Sequence, residues 1–119
     1  MSTFRNLLIW QKGMALTTKI YNSTRNFPKE EIFGLTSQIR RATVSIPSNI
    51  AEGFGRDSSK EYLRFLNISI SSLFELQTQL EIAKNINYLT EDEFNNLYED
   101  SREIERMLVS FIAKIKERN

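Results

Sequence analysis

In this 119-residue chain, the residues whose types and spacing suit them to chemistry fall in one stretch, Gln38 to Lys60. Within it Gln38, Arg41, Ser45, Asn49 and Glu52 are spaced 3, 4, 4 and 3, which places them on one stripe of a helix. Such a strip can hydrogen-bond a ligand, with Arg41 as the anion partner. It can equally be structural. In that reading Arg41 and Glu52 pair with other helices or subunits, while Ser45, Ser48 and Asn49 satisfy backbone groups that Pro47 frees. Gly53-Phe54-Gly55-Arg56-Asp57-Ser58-Ser59-Lys60 follows, with two glycines and two bases at a helix N-terminus, where phosphates bind readily. It lacks the preceding strand and third glycine of a dinucleotide fingerprint, and the Gly-Lys-Ser/Thr ending of a Walker loop. A helix stop followed by a capped helix start accounts for the same residues.

Arg40, Arg41, Arg56, Lys60 and Arg64 cluster in sequence around the same turn, with Arg64 one helical turn after Lys60. Together they predict a basic patch on one end of the molecule, the electrostatic footprint of nucleic-acid binding. Glu52, Asp57 and Glu61 are interleaved and oppose it, and Phe54, Tyr62 and Phe65 are expected in the core rather than as base-stacking platforms. Residues 1–64 carry 10 Lys/Arg and 5 Asp/Glu, net +5, whereas residues 65–119 carry 6 and 10, net −4. The same asymmetry also arises when helices merely differ in solvated charge. The chain has no His and no Cys, so the commonest general base, the commonest metal ligand and the thiol nucleophile are all missing. No paired-carboxylate arrangement replaces them. Neither an enzyme nor a cofactor or metal site is expected.

Four helices must position these groups. The first is read from about residue 9 to 26, with Leu7, Trp10, Met14, Thr17 and Tyr21 on one face and Ile20 on its border, and Phe27-Pro28 stops it. The second runs from about 33 to 52 on an apolar stripe of Leu35, Ile39, Ala42, Ile46 and Ile50. Because the stripe stays in phase across Pro47, a kinked helix is expected there rather than a break. Gly53 and Gly55 supply αL-tolerant positions to end it. The third opens on a Ser58–Glu61 capping box and runs to about 86. Its apolar face (Tyr62, Leu63, Phe65, Leu66, Ile70, Leu73, Phe74, Leu76, Leu80, Ala83) is wider than one core needs. With Ile68 and Ile82 lying off that face, another subunit is expected to cover part of it. Asn87 suits an αL cap, Thr90 and Glu93 form a second capping box, and Phe94, Leu97, Ser101, Ile104, Leu108, Phe111 and Ile115 make a seam at alternating spacings of three and four.

Short connections between four helices favour antiparallel neighbours, hence an all-α, up-down-up-down antiparallel four-helix bundle. The length suits one domain spanning 1–119, and 40% apolar with 26% charged residues argues against disorder. No apolar run approaches a membrane span and no signal-peptide pattern opens the chain, so a cytoplasmic protein is expected.

The run LTSQIRRATVSIPSNIAEGFGRDSSKEYLRFL (35–66), with SLFELQTQL (72–80), IWQKGM (9–14), FPKEE (27–31) and NYLTEDEF (87–94), resembles the small four-helix-bundle proteins encoded within intervening sequences of bacterial 23S ribosomal RNA genes. More distantly it resembles the accessory proteins of diversity-generating retroelements, which form pentameric rings and associate with a reverse transcriptase and RNA. The resemblance implies a bacterial cytoplasmic bundle and a homopentamer, and it brings no active-site residues with it. The family's recurrent polar positions fall on Gln38, Arg40, Arg41, Ser45, Asn49, Glu52 and Glu75. Ser69 and Ser71 stand where Ala and Gly are common, Asn87 where Gly is common, and Gln77 where Glu is common; only the last changes charge.

The expected function is therefore a non-enzymatic, oligomeric bundle that associates with structured RNA or a nucleoprotein partner. Arg40, Arg41, Arg56, Lys60 and Arg64 would make the phosphate contacts. A protein-binding scaffold with no nucleic-acid role is the first alternative. The second is a small-molecule binder using the Arg41/Asn49/Glu52 strip.

Overall fold

The computed structural model describes residues 3–118. Four helices carry the fold: α1 (Leu8–Thr24), α2 (Leu35–Phe54), α3 (Ser59–Asn85) and α4 (Glu91–Glu117), with short 3-10 turns at Phe4–Asn6 and Lys29–Glu31. Each helix packs on the one before it and α4 closes back onto α1. Contacts run in opposite residue order across every pair, so all neighbours are antiparallel. Lys12 and Lys19 of α1 reach Glu103 and Asp100 of α4 at 3.0 and 2.6 Å. Between α3 and α4, the Tyr62 and Phe111 rings lie 5.7 Å apart and Gln77 donates to Glu105 at 3.0 Å. The bundle measures 46 × 22 × 22 Å, the length set by α3 and α4, which at 27 residues each span about 40 Å.

Caps explain where the helices begin and end. Thr90 and Glu93 close a reciprocal capping box at the start of α4. At α3 only half of the expected box forms. Ser58 accepts from the Glu61 amide at 3.2 Å, but the Glu61 carboxylate turns to Arg64 instead. Asn87 adopts φ 66°, the left-handed geometry that lets the Tyr88 amide return to the Ala83 carbonyl at 2.8 Å.

α2 is continuous through Pro47. The proline has no N–H for the Thr43 carbonyl. Thr17 of α1 stands in: its hydroxyl lies 3.2 Å from that carbonyl and 2.8 Å from that of Gly13. Ser45, Ser48 and Asn49 do not perform this repair. Gly13 faces the Pro47 ring at this crossing, where an added Cβ would come into contact at 3.4 Å.

That close crossing turns α1 away from the expected face. Ile9, Gly13, Leu16, Ile20 and Thr24 are buried, while Met14 and Tyr21 are exposed. The small and polar Gly13 and Thr24 carry no hydropathy signal, so the apolar pattern pointed about one residue off. Gly53 is corrected likewise. No glycine has positive φ; Gly53 is buried because a Cβ would lie 2.9 Å from Phe65 Cβ and Tyr62 Cδ1. On α4 the seam shifts slightly, with Ile112 buried and Phe111 half-buried.

Candidate nucleic-acid interface and polar strip

The five cations of the sequence cluster are not brought together. Arg56, Lys60 and Arg64 sit at the α2–α3 end, and all three are exposed. Arg40 lies on the other half of α2, about 21 Å along the axis from Phe54. Its Nε donates to Thr24 Oγ1 at 2.9 Å, an NH2 reaches the Tyr21 carbonyl at 3.5 Å, and the guanidinium stacks 4.6 Å over the Tyr21 ring. Arg41 is one residue on but exposed on the outer side of α2. The reason is helical phase: neighbours in sequence point about 100° apart, so Arg40 faces α1 and Arg41 does not.

At the α2–α3 end, Phe65 organises the basic groups. The Arg56 and Arg64 guanidinium carbons lie 4.7 and 4.4 Å from its ring centroid. Arg64 also donates to both Glu61 oxygens at 3.2 Å. That pairing holds the Glu61 carboxyl below its ordinary range and raises Arg64. Arg56 and Lys60 have no carboxylate within 4 Å among the described residues, whose ion pairs are Lys12–Glu103, Lys19–Asp100, Arg64–Glu61 and Arg102–Glu105. Beside them the Tyr62 hydroxyl is buried without a partner, and burial pushes its pKa up to about 12.

The polar strip runs along the seam between α2 and α3. Ser45 and Ser72 hydroxyls meet at 2.8 Å, and Asn49 Nδ2 donates back to the Ser45 carbonyl and hydroxyl at 2.8 and 2.9 Å. Gln38, Arg41, Glu52 and Glu75 lie toward its solvent side, and all four are exposed. Glu75 lines a shallow cavity of about 640 Å³ with Arg64, Asn67, Ile68, Ser71 and Ser72. Arg41, Asn49 and Glu52 line none of the five cavities delineated on the bundle. Among the described residues no group of His, Cys, Asp and Glu could hold a metal ion. No helix is long and apolar enough to cross a membrane.

Ile68, Phe74 and Ile82 on the outer side of α3 are 37, 47 and 44% exposed. Gln77, where the family carries Glu, donates to Ser101 and Glu105 on α4. Three groups escaped the sequence reading: Arg25, Lys29 and Phe33. They sit in the connection after α1, and their signal was an Arg and a Lys four residues apart ahead of an aromatic outside any helical stripe.

The fold and this layout define a small antiparallel four-helix bundle with an arginine-bearing end and a polar seam. The chain belongs to the family of 23S rRNA-intervening sequence proteins, whose model matches residues 5–110. It is similar to a crystal structure of a protein of unknown function from the S23 ribosomal protein family of Bacteroides thetaiotaomicron VPI-5482. That match has 26% identity, covers 88% of this chain and 98% of that one, and has a TM-score of 0.82. No curated protein matches the sequence.

Proposed function

We propose that this protein is a non-enzymatic, cytoplasmic, oligomeric bundle that associates with structured RNA or a nucleoprotein partner. The observation that carries the reading is the α2–α3 end, where Arg56 and Arg64 stack on Phe65 with Lys60 between them in sequence, exposed and within reach of a phosphate backbone. Such cations supply sequence-independent affinity. The family's association with intervening sequences of ribosomal RNA is consistent with an RNA partner. The exposed Ile68, Phe74 and Ile82 support a homo-oligomer, a pentamer by family resemblance, in which the basic ends are repeated and their fields add.

The test is binding of a structured RNA across a salt series, with oligomeric mass measured in the same buffer. The wild type should bind with an affinity that falls steeply with salt. Reversing Arg56, Lys60 and Arg64 to Glu should weaken binding at least tenfold and flatten the slope by about 3, one for each phosphate no longer neutralised. Unchanged affinity in the triple variant would remove the assignment. A monomeric mass would remove the oligomer.

A further inference from the structure

At the opposite end of the bundle, the connection after α1 and the first half of α2 bring cations around one cavity. Arg25 follows the last turn of α1, Lys29 opens the short turn after it, and Arg40 arrives from α2. With Thr24, Thr36, Phe27, Pro28 and Ile32 they line a space of about 440 Å³ whose walls contain no carboxylate. Glu31, in the turn that Lys29 opens, is committed elsewhere: it accepts from the Leu35 amide at 3.0 Å and from the Tyr88 hydroxyl at 2.8 Å. Glu30 remains in the same turn, and it does not line the cavity.

A helix C-terminus draws cations to its free carbonyls, and that explains Arg40. Arg25, the residue that caps the end of α1, falls under the same account, and Lys29 does not. Arg25 and Lys29 are exposed and make no ion pair among the described residues. Arg40 is fixed by Thr24 and the Tyr21 ring, which uses two of its five N–H donors at most and leaves the remainder free. Phe33 follows the lining residue Ile32 in sequence without lining the cavity itself, and it is 95% exposed, against 6% for Phe65 at the other end. A ring this exposed adds little to the chain's own fold, and it offers a face on which a base can stack.

We propose that this cavity is a binding site for unpaired nucleotides, with Arg25, Lys29 and Arg40 taking the phosphodiester and Phe33 taking the base. The inference rests on the RNA reading above and assigns to RNA a second contact, chemically unlike the first. The α2–α3 end offers its guanidinium groups on a buried ring and fits a phosphate backbone alone. The α1–α2 end pairs cations with an open aromatic face and selects strand ends, loops or bulges whose bases are free.

The experiment compares a short labelled single-stranded RNA with a blunt RNA duplex of equal length, by fluorescence anisotropy at low and moderate salt. Arg25→Glu with Lys29→Glu should weaken single-strand binding at least tenfold and lower its salt slope by about 2, with a smaller effect on the duplex. Phe33→Ala should cost single-strand binding about fivefold or more with the salt slope unchanged, the behaviour of a stacking contact. Because Phe33 is fully exposed, that variant keeps the fold, and thermal melting checks it. If the wild type binds RNA and neither variant changes single-strand affinity, the second site is wrong and the first reading stands. If the wild type binds neither RNA, both readings fall, and a nuclease-insensitive protein partner becomes the explanation of the basic ends.

Discussion

At the α2–α3 end, Arg64 donates to both oxygens of Glu61 and shares the Phe65 ring with Arg56. At the α1–α2 end, Arg25 and Lys29 border a cavity with no carboxylate in its wall, beside an aromatic ring left open. At the first end Arg64 is compensated by its own neighbour in sequence, three residues away on the same helix, while Arg56 and Lys60 are left unpaired among the described residues. The second is assembled by the fold from the connection after α1 and from α2. Its charge is therefore invisible in a linear reading, which grouped Arg40 with Arg56 because they share a stretch of chain. The ends also differ in packing. Gly53 brings α2 onto Tyr62 and Phe65 at one end, whereas Glu31, the turn after α1 and Tyr88 hold the other by polar contacts.

A large effect should come from overfilling the packed end. Gly53→Ala places a methyl 2.9 Å from Phe65 Cβ, an atom that cannot swing aside without moving α3. Overpacking of this kind costs about 2 kcal/mol even after the better helix propensity of Ala is credited. Urea unfolding measures it. A loss below a few tenths of that would show that the α2–α3 contact is looser than the distances imply.

The polar end should respond to pH instead. Glu31 caps the start of α2 through the Leu35 amide and binds the Tyr88 hydroxyl, and these two bonds, in that order, hold its carboxyl below the ordinary range. Since the folded value is lowered, the stabilisation is present above the ordinary carboxylate pKa and is lost as pH falls through the folded one. Glu31→Ala should therefore lower the thermal midpoint at neutral pH, and the gap from wild type should close in acid. A gap of equal size at every pH would mean that the side chain acts through packing and not through its charge. Gly34 belongs to the same device, because a Cβ there would lie 2.6 Å from the Glu31 carboxylate.

How much of this was legible depended on whether a role is carried by residue type or by neighbours in space. The four helices, the Thr90–Glu93 box and the Asn87 cap follow from periodicity and local cap chemistry, and so does the family resemblance in the SIPSNIAEG run. The buried face of α1 was missed because Gly13, buried against Pro47, carries no hydropathy signal. The repair of the Thr43 carbonyl was assigned to nearby polar residues of α2, but Thr17 of α1 performs it. The cavity of Arg25, Lys29 and Arg40 escaped for the same reason: the antiparallel packing of α1 on α2 is what brings Arg40 to the other two.

The smallest expected effect on stability tests the difference most directly. Phe33 and Phe65 are the aromatic rings of the two basic ends, yet one is 95% exposed and the other 6%. Phe33→Ala should leave the unfolding free energy within about 0.5 kcal/mol of wild type, the range of surface substitutions that touch no special feature. Phe65→Ala should cost about 3 kcal/mol or more, as buried aromatic truncations do. Urea unfolding of the two variants side by side reads both numbers. If Phe33→Ala destabilised the protein appreciably in dilute solution, the ring would have a structural partner, a second copy of the chain being the nearest explanation. A concentration-dependent midpoint would identify it. If the stability is unmoved, the exposed ring contributes to something other than the fold, and at this end of the bundle the chemistry beside it is that of three cations around an open cavity.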